Sequence, residues 1–482
     1  MINFKIVGYV LGLLLIIEGF FLFTAVPVAL VYRESIVFWL LVLAGFTMFS
    51  GAAIWAIFRK AKMNIGKREV YIIVSVGWIL FAVFGALPYY ITHTIPSFTD
   101  AFFESMSGFT TTGSSIITDL STIPHSLLYW RSLTQWIGGL GVILLSLIIF
   151  QVLEVGGMRI YISEGAGSSP DMLHPRIKET ALRLWGIYLL LTAFEILLLW
   201  IGNMHFFDAL CHSFSTLSTG GFSTSSGNIT AFDSPYLQYV FIFFMFLGGT
   251  NFTLLYFVVN RKFKQAFRNE EFKYYLFFIL LFTVLFLLIK MLTMKQPFEH
   301  SFRLALFRAV STISTTGYYI TSFNHWIPVG TLLVLLLMFF GAMTGSTGGG
   351  IKITRIILLL KNSQLELKRL IHPSAVIPVR INKQAVELDL LNNVLSFVAL
   401  YLLTVMLGVI IVSFMGYDLE TSIGALLANL ANIGPGIGDV GPFHTYAHFS
   451  VFGKWFLSFI MLAGRLELVT IFALFTRHFW KR

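Results

Sequence analysis

Ten long apolar segments punctuate the 482-residue chain, at approximately 6–32, 36–58, 70–91, 127–152, 184–201, 236–259, 274–289, 329–360, 394–415 and 455–475. Several exceed the ~18–20 residues that span the hydrocarbon core of a bilayer. Backbone polar groups in lipid must be satisfied within the protein, which leaves continuous runs of this length only one regular form, the helix. The fold class is therefore an all-α polytopic membrane protein. The charged fraction of 12% agrees, being roughly half that of soluble proteins, and no polar stretch is long enough for a soluble domain. The first segment lacks a small-residue cleavage site and is too long for a signal peptide, so it reads as a retained helix. Cys211 is the only cysteine, which excludes disulfides within the chain and any cysteine-based metal cluster.

A net charge of +10 is explained by where the charges lie. Lysines and arginines cluster at 59–68, 159–183, 261–273, 352–383 and 477–482, each time after an even-numbered apolar segment. That is the positive-inside pattern, and it predicts that both termini are cytoplasmic. Topology accounts for the charge, so no nucleic-acid partner is expected.

The polar spacers on the opposite side carry the internal order. They stack without gaps on Gly113, Gly221, Gly317 and Gly434. Twelve positions earlier stand Ala101, Ala209, Ala305 and Ser422; six earlier, Ser107, Ser215, Ser311 and Ala428; two earlier, Thr111, Thr219, Thr315 and Asn432. A helix of about thirteen residues reaches only ~20 Å and cannot cross the membrane, so each stretch is expected to enter and return. The glycines recur at intervals of 108, 96 and 117 residues, each flanked by a spanning segment on either side. Such a repeat is an architectural signal. It predicts four pseudo-fourfold helix–pore loop–helix units (69–159, 160–272, 273–362 and 363–482) around one central pore, preceded by a helix pair at 1–68.

Irregular backbone at membrane depth is tolerated only where it is buried in protein or lines water. Rings of carbonyl oxygens that replace a hydration shell are the device of potassium filters. The loop sequences Thr110–Gly113, Ser218–Gly221, Ser314–Gly317 and Ala431–Gly434 suit that role, because glycine accepts left-handed or extended backbone.

The run 100–113 (DAFFESMSGFTTTG), with WRSLTQWIGG from Trp130, GAMTGSTGGG from Gly341 and NIGPG from Asn432, resembles the Trk/Ktr/HKT superfamily of potassium transporters, specifically its bacterial TrkH/TrkG branch. The resemblance spans nearly the whole chain. It implies a pore for low-affinity potassium uptake in the bacterial inner membrane, with potassium as substrate, no cofactor and no enzymatic step. It implies ion-coordinating carbonyls at Thr111, Thr112 and Gly113; Thr219, Gly220 and Gly221; Thr315, Thr316 and Gly317; and Asn432, Ile433 and Gly434. In potassium-selecting members the glycine is kept in all four loops, whereas a serine in the first accompanies sodium permeation. The fourth loop departs most from the pattern: asparagine replaces threonine, Pro435 follows, and Gly436 competes with Gly434 for the aligned place. The resemblance also implies a homodimer on a cytosolic nucleotide-binding regulatory subunit of the TrkA type.

The eighth segment is too long for one span, and five glycines fall within 341–350. Each weakens a helix by about 1 kcal/mol relative to alanine, so the segment is expected to unwind there. In the resembling family this stretch, here Thr344, Gly345, Ser346, Thr347, Gly348, Gly349 and Gly350, is an intramembrane gate beneath the filter. Arg465 falls mid-segment in the last span, where an unpartnered charge is costly. It is expected either to pair with Glu467 or a neighbouring helix, or to face the cavity below the filter and brace the gate, as the resemblance favours. Glu18 and Glu195 also lie within spans, with no role assigned. His212 aligns with Glu104 and Arg308 and reads as scaffold rather than proton relay.

The GxGxxG match at 436–441 lacks the strand that a dinucleotide site needs, and no P-loop or HExxH motif occurs. The competing function is a cation-coupled (sodium or proton) symporter with a midplane site, against which four parallel repeats argue. A membrane enzyme would need clustered catalytic groups, and the ionisable residues of the spans are scattered.

Overall fold

The computed structural model describes residues 2–61, 66–152, 173–293, 296–321, 328–372 and 377–481, with the backbone alone at 144–152 and 173–178. The expected boundary between the first two units, at 159/160, lies outside the described residues. The helices are α1 (Phe4–Phe23), α2 (Ala25–Val31), α3 (Val37–Phe58), α4 (Lys67–Ile91), α5 (Phe98–Phe109), α6 (His125–Val152), α7 (Leu173–Ile201), α8 (Phe206–Leu217), α9 (Pro235–Gly248), α10 (Phe252–Val259), α11 (Phe263–Arg268) and α12 (Glu270–Thr293). There follow α13 (Phe298–Ile313), α14 (Pro328–Met338) and α15 (Ile353–Ile371), a two-residue hairpin of β1 (Arg380–Ile381) and β2 (Gln384–Ala385), then α16 (Leu388–Phe414), α17 (Leu419–Leu430), α18 (Val451–Arg465), α19 (Leu468–Leu474) and α20 (Arg477–Trp480).

Six stretches among the described residues are long and apolar enough to cross a membrane. Large apolar side chains on their outer faces are open, as at Phe46, Leu280, Leu403 and Met406, as expected where lipid is the solvent. Near the start of the chain α1 and α3 cross at Gly12 and Gly51, where a Cβ on either residue would press into the other helix's backbone. Small residues permit this close approach where no hydrophobic drive separates lipid from protein.

The four short stretches are helices of 12, 12, 16 and 12 residues (α5, α8, α13 and α17), about 18–24 Å long and too short to span. Three of them have a side-chain cap: Ser97 and Asp418 accept backbone N–H bonds at their N-caps, and His205 does the same through its ring, whereas α13 begins after Pro297 without one.

Three of the following spans are broken, where the sequence predicts one break. The eighth segment parts between α14 and α15 as expected. The segments expected to be continuous at 236–259 and 455–475 instead bend by 110° between α9 and α10 and by 114° between α18 and α19. At the first break Asn251 caps a new helix by accepting from Thr253 N–H at 2.7 Å. At the second, Glu467 takes a left-handed φ of 58°. Hydropathy does not register these breaks, because the helices on either side of them are apolar enough to pass as one span.

Candidate functional site

All four short helices terminate in one way. The N–H just before each loop glycine bonds back to the carbonyl five residues earlier: Thr112 to Ser107 (2.9 Å), Gly220 to Ser215 (2.8 Å), Thr316 to Ser311 (3.0 Å) and Ile433 to Ala428 (2.8 Å). This helix-ending motif requires a left-handed residue at the turn. Thr111, Thr219, Thr315 and Asn432 occupy it with φ of 50°, 56°, 61° and 54°. A left-handed residue other than glycine costs about 1–2 kcal/mol, and β-branched threonine is an outlier there. Asparagine tolerates the conformation far better, so Asn432 departs from the repeat in composition and keeps its geometry. Gly113, Gly221, Gly317 and Gly434 follow with φ of 84°, 76°, 76° and 94°. Gly436 is not among the positive-φ glycines, so Gly434 is the structural counterpart of the other three.

The loops close on one another in a cycle. A Cβ on Gly113 would strike the carbonyl oxygen of Gly220, one on Gly221 that of Thr316, and one on Gly317 that of Ile433. A Cβ on Gly434 would stand 2.7 Å from the carbonyl oxygen of Thr112, which completes the circuit. Among the described residues no backbone N–H donates to the carbonyls of Thr111, Thr112, Thr219, Thr315, Thr316, Asn432 or Ile433.

Side chains fix the loops from behind, among them Gln135, Arg131 and Tyr446, to which the sequence reading gives no role. Gln135 donates to Gly220 O (2.7 Å) and accepts from Phe222 N–H (3.1 Å). The buried Glu104–Arg131 pair, 2.6 Å apart, joins two loops: Glu104 accepts from Ile116 N–H (2.9 Å) and Arg131 donates to Ser223 O (2.9 Å). His212 contacts Ser223 Oγ at 3.0 Å and Arg308 donates to Thr321 O at 2.8 Å. The aligned position that varies between Glu104, His212 and Arg308 thus does one job, tying the short helix to its own exit strand. Asn432 donates to Thr112 Oγ1 (2.9 Å) and Met461 O (3.0 Å). Tyr446 donates its hydroxyl to Gly434 O (2.9 Å).

The unwound stretch 341–350 is pinched at its neck, where Gly341 N–H meets Ile351 O at 2.8 Å. It packs under the loops. Gly349 N–H donates to Thr315 Oγ1 (2.8 Å), and the Thr347 hydroxyl lies 2.9 Å from Leu217 O and 3.0 Å from Gly248 O. Side chains at Gly348 and Gly349 would collide with Ala342 and with the Ala431 carbonyl. Arg465, 4% exposed, donates to Thr347 O at 2.6 Å and to Gly138 O at 3.4 Å. Glu467 bonds Arg355 instead, at 2.6 Å. Thr344, Gly348, Lys352 and Arg465 help line a cavity of about 50 Å³ here.

Known proteins resemble this chain over nearly its whole length. The TrkH family model, described as a cation transport protein, matches residues 42–481. The Trk system potassium uptake protein TrkH of Escherichia coli K12 is 35% identical over 99% of this chain and 100% of its own length. TrkG of the same organism is 34% identical, with 99% of each chain covered. The crystal structure of the potassium transporter TrkH from Vibrio parahaemolyticus superposes with a TM-score of 0.91 at 33% identity, covering 100% of both chains. The chain belongs to the TrkH family of cation transport proteins.

Proposed function

We propose that this protein conducts potassium ions across the membrane through the centre of the four-loop cycle. The observation that carries the reading is that cycle itself, in which four left-handed turns present carbonyl oxygens left unbonded by the backbone. Such oxygens can replace the hydration shell of a potassium ion, and strain in the turns is the kind of cost retained at working sites. Thr111, Thr112, Gly113, Thr219, Gly220, Gly221, Thr315, Thr316, Gly317, Asn432, Ile433 and Gly434 are the filter, and the four units surround it behind an N-terminal helix pair.

The stretch from Thr344 through Gly350 is the gate. It lies against Thr315 and Leu217 and obstructs the path, and Arg465 holds it while its own charge raises the barrier to cations. The chain is a transporter subunit of the bacterial inner membrane with both termini cytoplasmic, works as a homodimer, and takes its control from a cytosolic TrkA-type nucleotide-binding subunit. The similarity to named potassium uptake proteins and the placement of basic clusters support this.

Rubidium uptake into proteoliposomes tests the reading. Uptake driven by an outward potassium gradient and suppressed far more by external potassium than by sodium is expected. Absence of uptake with and without a regulatory subunit overturns it.

A further inference from the structure

Thr344, at the entry to the unwound stretch, is gripped on both sides of its backbone. Its N–H donates to Glu271 Oε1 at 2.7 Å, and its carbonyl accepts from Asn251 Nδ2 at 2.6 Å. The next carbonyl, of Gly345, accepts from Phe252 N–H at 3.1 Å. Asn251 is already oriented by capping α10 through its Oδ1, and Glu271 is 4% exposed in the first turn of α12. Hydrogen bonds to an ionised carboxylate are the strong ones, and a glycine-rich segment has the most conformational freedom to recover on release. On the other side of the neck Lys352 donates to Gly348 O, so side-chain hydrogen bonds hold the segment from both ends.

The residue before Glu271 faces a different structure. Glu270 accepts from Lys361 of α15 and from Asn382 N–H at 2.9 Å, while its own N–H donates to Asn382 Oδ1 at 2.8 Å. Asn382 is in the turn joining β1 to β2. One helix start therefore grips the unwound stretch with one carboxylate and the polar hairpin with the next.

We infer that Glu271 is a positioning residue that clamps the gate closed, and that Glu270 links the hairpin 380–385 to that clamp, so that displacing the hairpin loosens Thr344. This rests on the reading of 341–350 as the gate. A partner acting on the hairpin would reach the gate across a single peptide step.

The test uses the full chain with Cys211→Ala and Ser346→Cys, reconstituted in proteoliposomes, with two readouts: modification of the new thiol by a charged methanethiosulfonate reagent, and rubidium uptake. Glu271→Ala is expected to raise the modification rate by about tenfold, the factor set by one charge-assisted hydrogen bond. Glu271→Gln, which keeps an acceptor oxygen without the charge, is expected to raise the rate by less than Glu271→Ala does. Glu270→Gln, at a partly exposed pair, leaves the clamp in place and raises the rate by a smaller factor. It carries the test if Glu271→Ala does not fold. Parent rates in Glu271→Ala, or in Glu270→Gln, overturn the clamp or its link respectively. Faster modification in a protein that takes up no rubidium sustains the clamp and overturns the potassium reading instead.

Discussion

Arg465 donates to the carbonyl oxygen of Thr347 at 2.6 Å, so a buried cation of the last broken span is joined directly to the backbone of the unwound stretch. The same guanidinium reaches Gly138 O at 3.4 Å, which anchors it to α6. Replacing Arg465 by alanine removes both the charge and the brace. Rubidium uptake is expected to rise by about tenfold, a single charge-assisted bond's worth, with the preference for potassium over sodium unchanged. Unaltered uptake would remove Arg465 from gating.

Two glycines with similar backbone separate strain from collision. Gly416 has φ of 93° and nothing within 4 Å of an added Cβ, whereas at Gly317, with φ of 76°, a Cβ meets the Ile433 carbonyl. Gly416→Ala is expected to cost about 1–2 kcal/mol of stability, the left-handed penalty, and to keep full uptake. Gly317→Ala is expected to abolish potassium uptake. Thermal unfolding in detergent, run beside uptake, checks both.

Gly113→Ser places a side chain at a φ of 84° against the carbonyl of Gly220. The carbonyl ring is expected to open on that side, with sodium permeation rising relative to potassium. A preserved selectivity ratio in sodium and rubidium flux would count against the assignment of this ring.

The Glu104–Arg131 pair is buried and bonded to two different loop exits. Glu104→Gln strands the arginine, and breaking one side of a buried pair costs about 3–5 kcal/mol. A clear drop in melting temperature is expected. Adding Arg131→Met should recover part of the melting temperature without restoring selectivity, since the tie between the loops stays lost.

Much of this was legible in the sequence, for physical reasons. A left-handed turn followed by a crowded glycine admits few residues, so Thr111-x-Gly113 and its counterparts stand out at one register. The unwinding at 341–350 was visible because glycine density signals it directly. The breaks after Gly248 and at Leu466 were not, because the helices on either side are apolar as whole segments and the decisive events are a cap by Asn251 and one left-handed residue, Glu467. Asn251 following a Gly-Gly-Thr run was the available signal for the first, since asparagine is a preferred N-cap. The shared job of Glu104, His212 and Arg308 was hidden by their unlike charges. What they have in common is reach to the exit strand, which composition does not encode.

The closed circuit of loop glycines runs through four unlike stretches of one polypeptide, and this has a consequence for copy number. An assembly of four identical subunits would place any cation beside its axis four times over, and any obstructing segment likewise. Here Arg465 and the stretch 341–350 occur once each, so one arginine meets one unwound stretch, and a single substitution is expected to adjust the barrier without altering the carbonyls that would choose the ion.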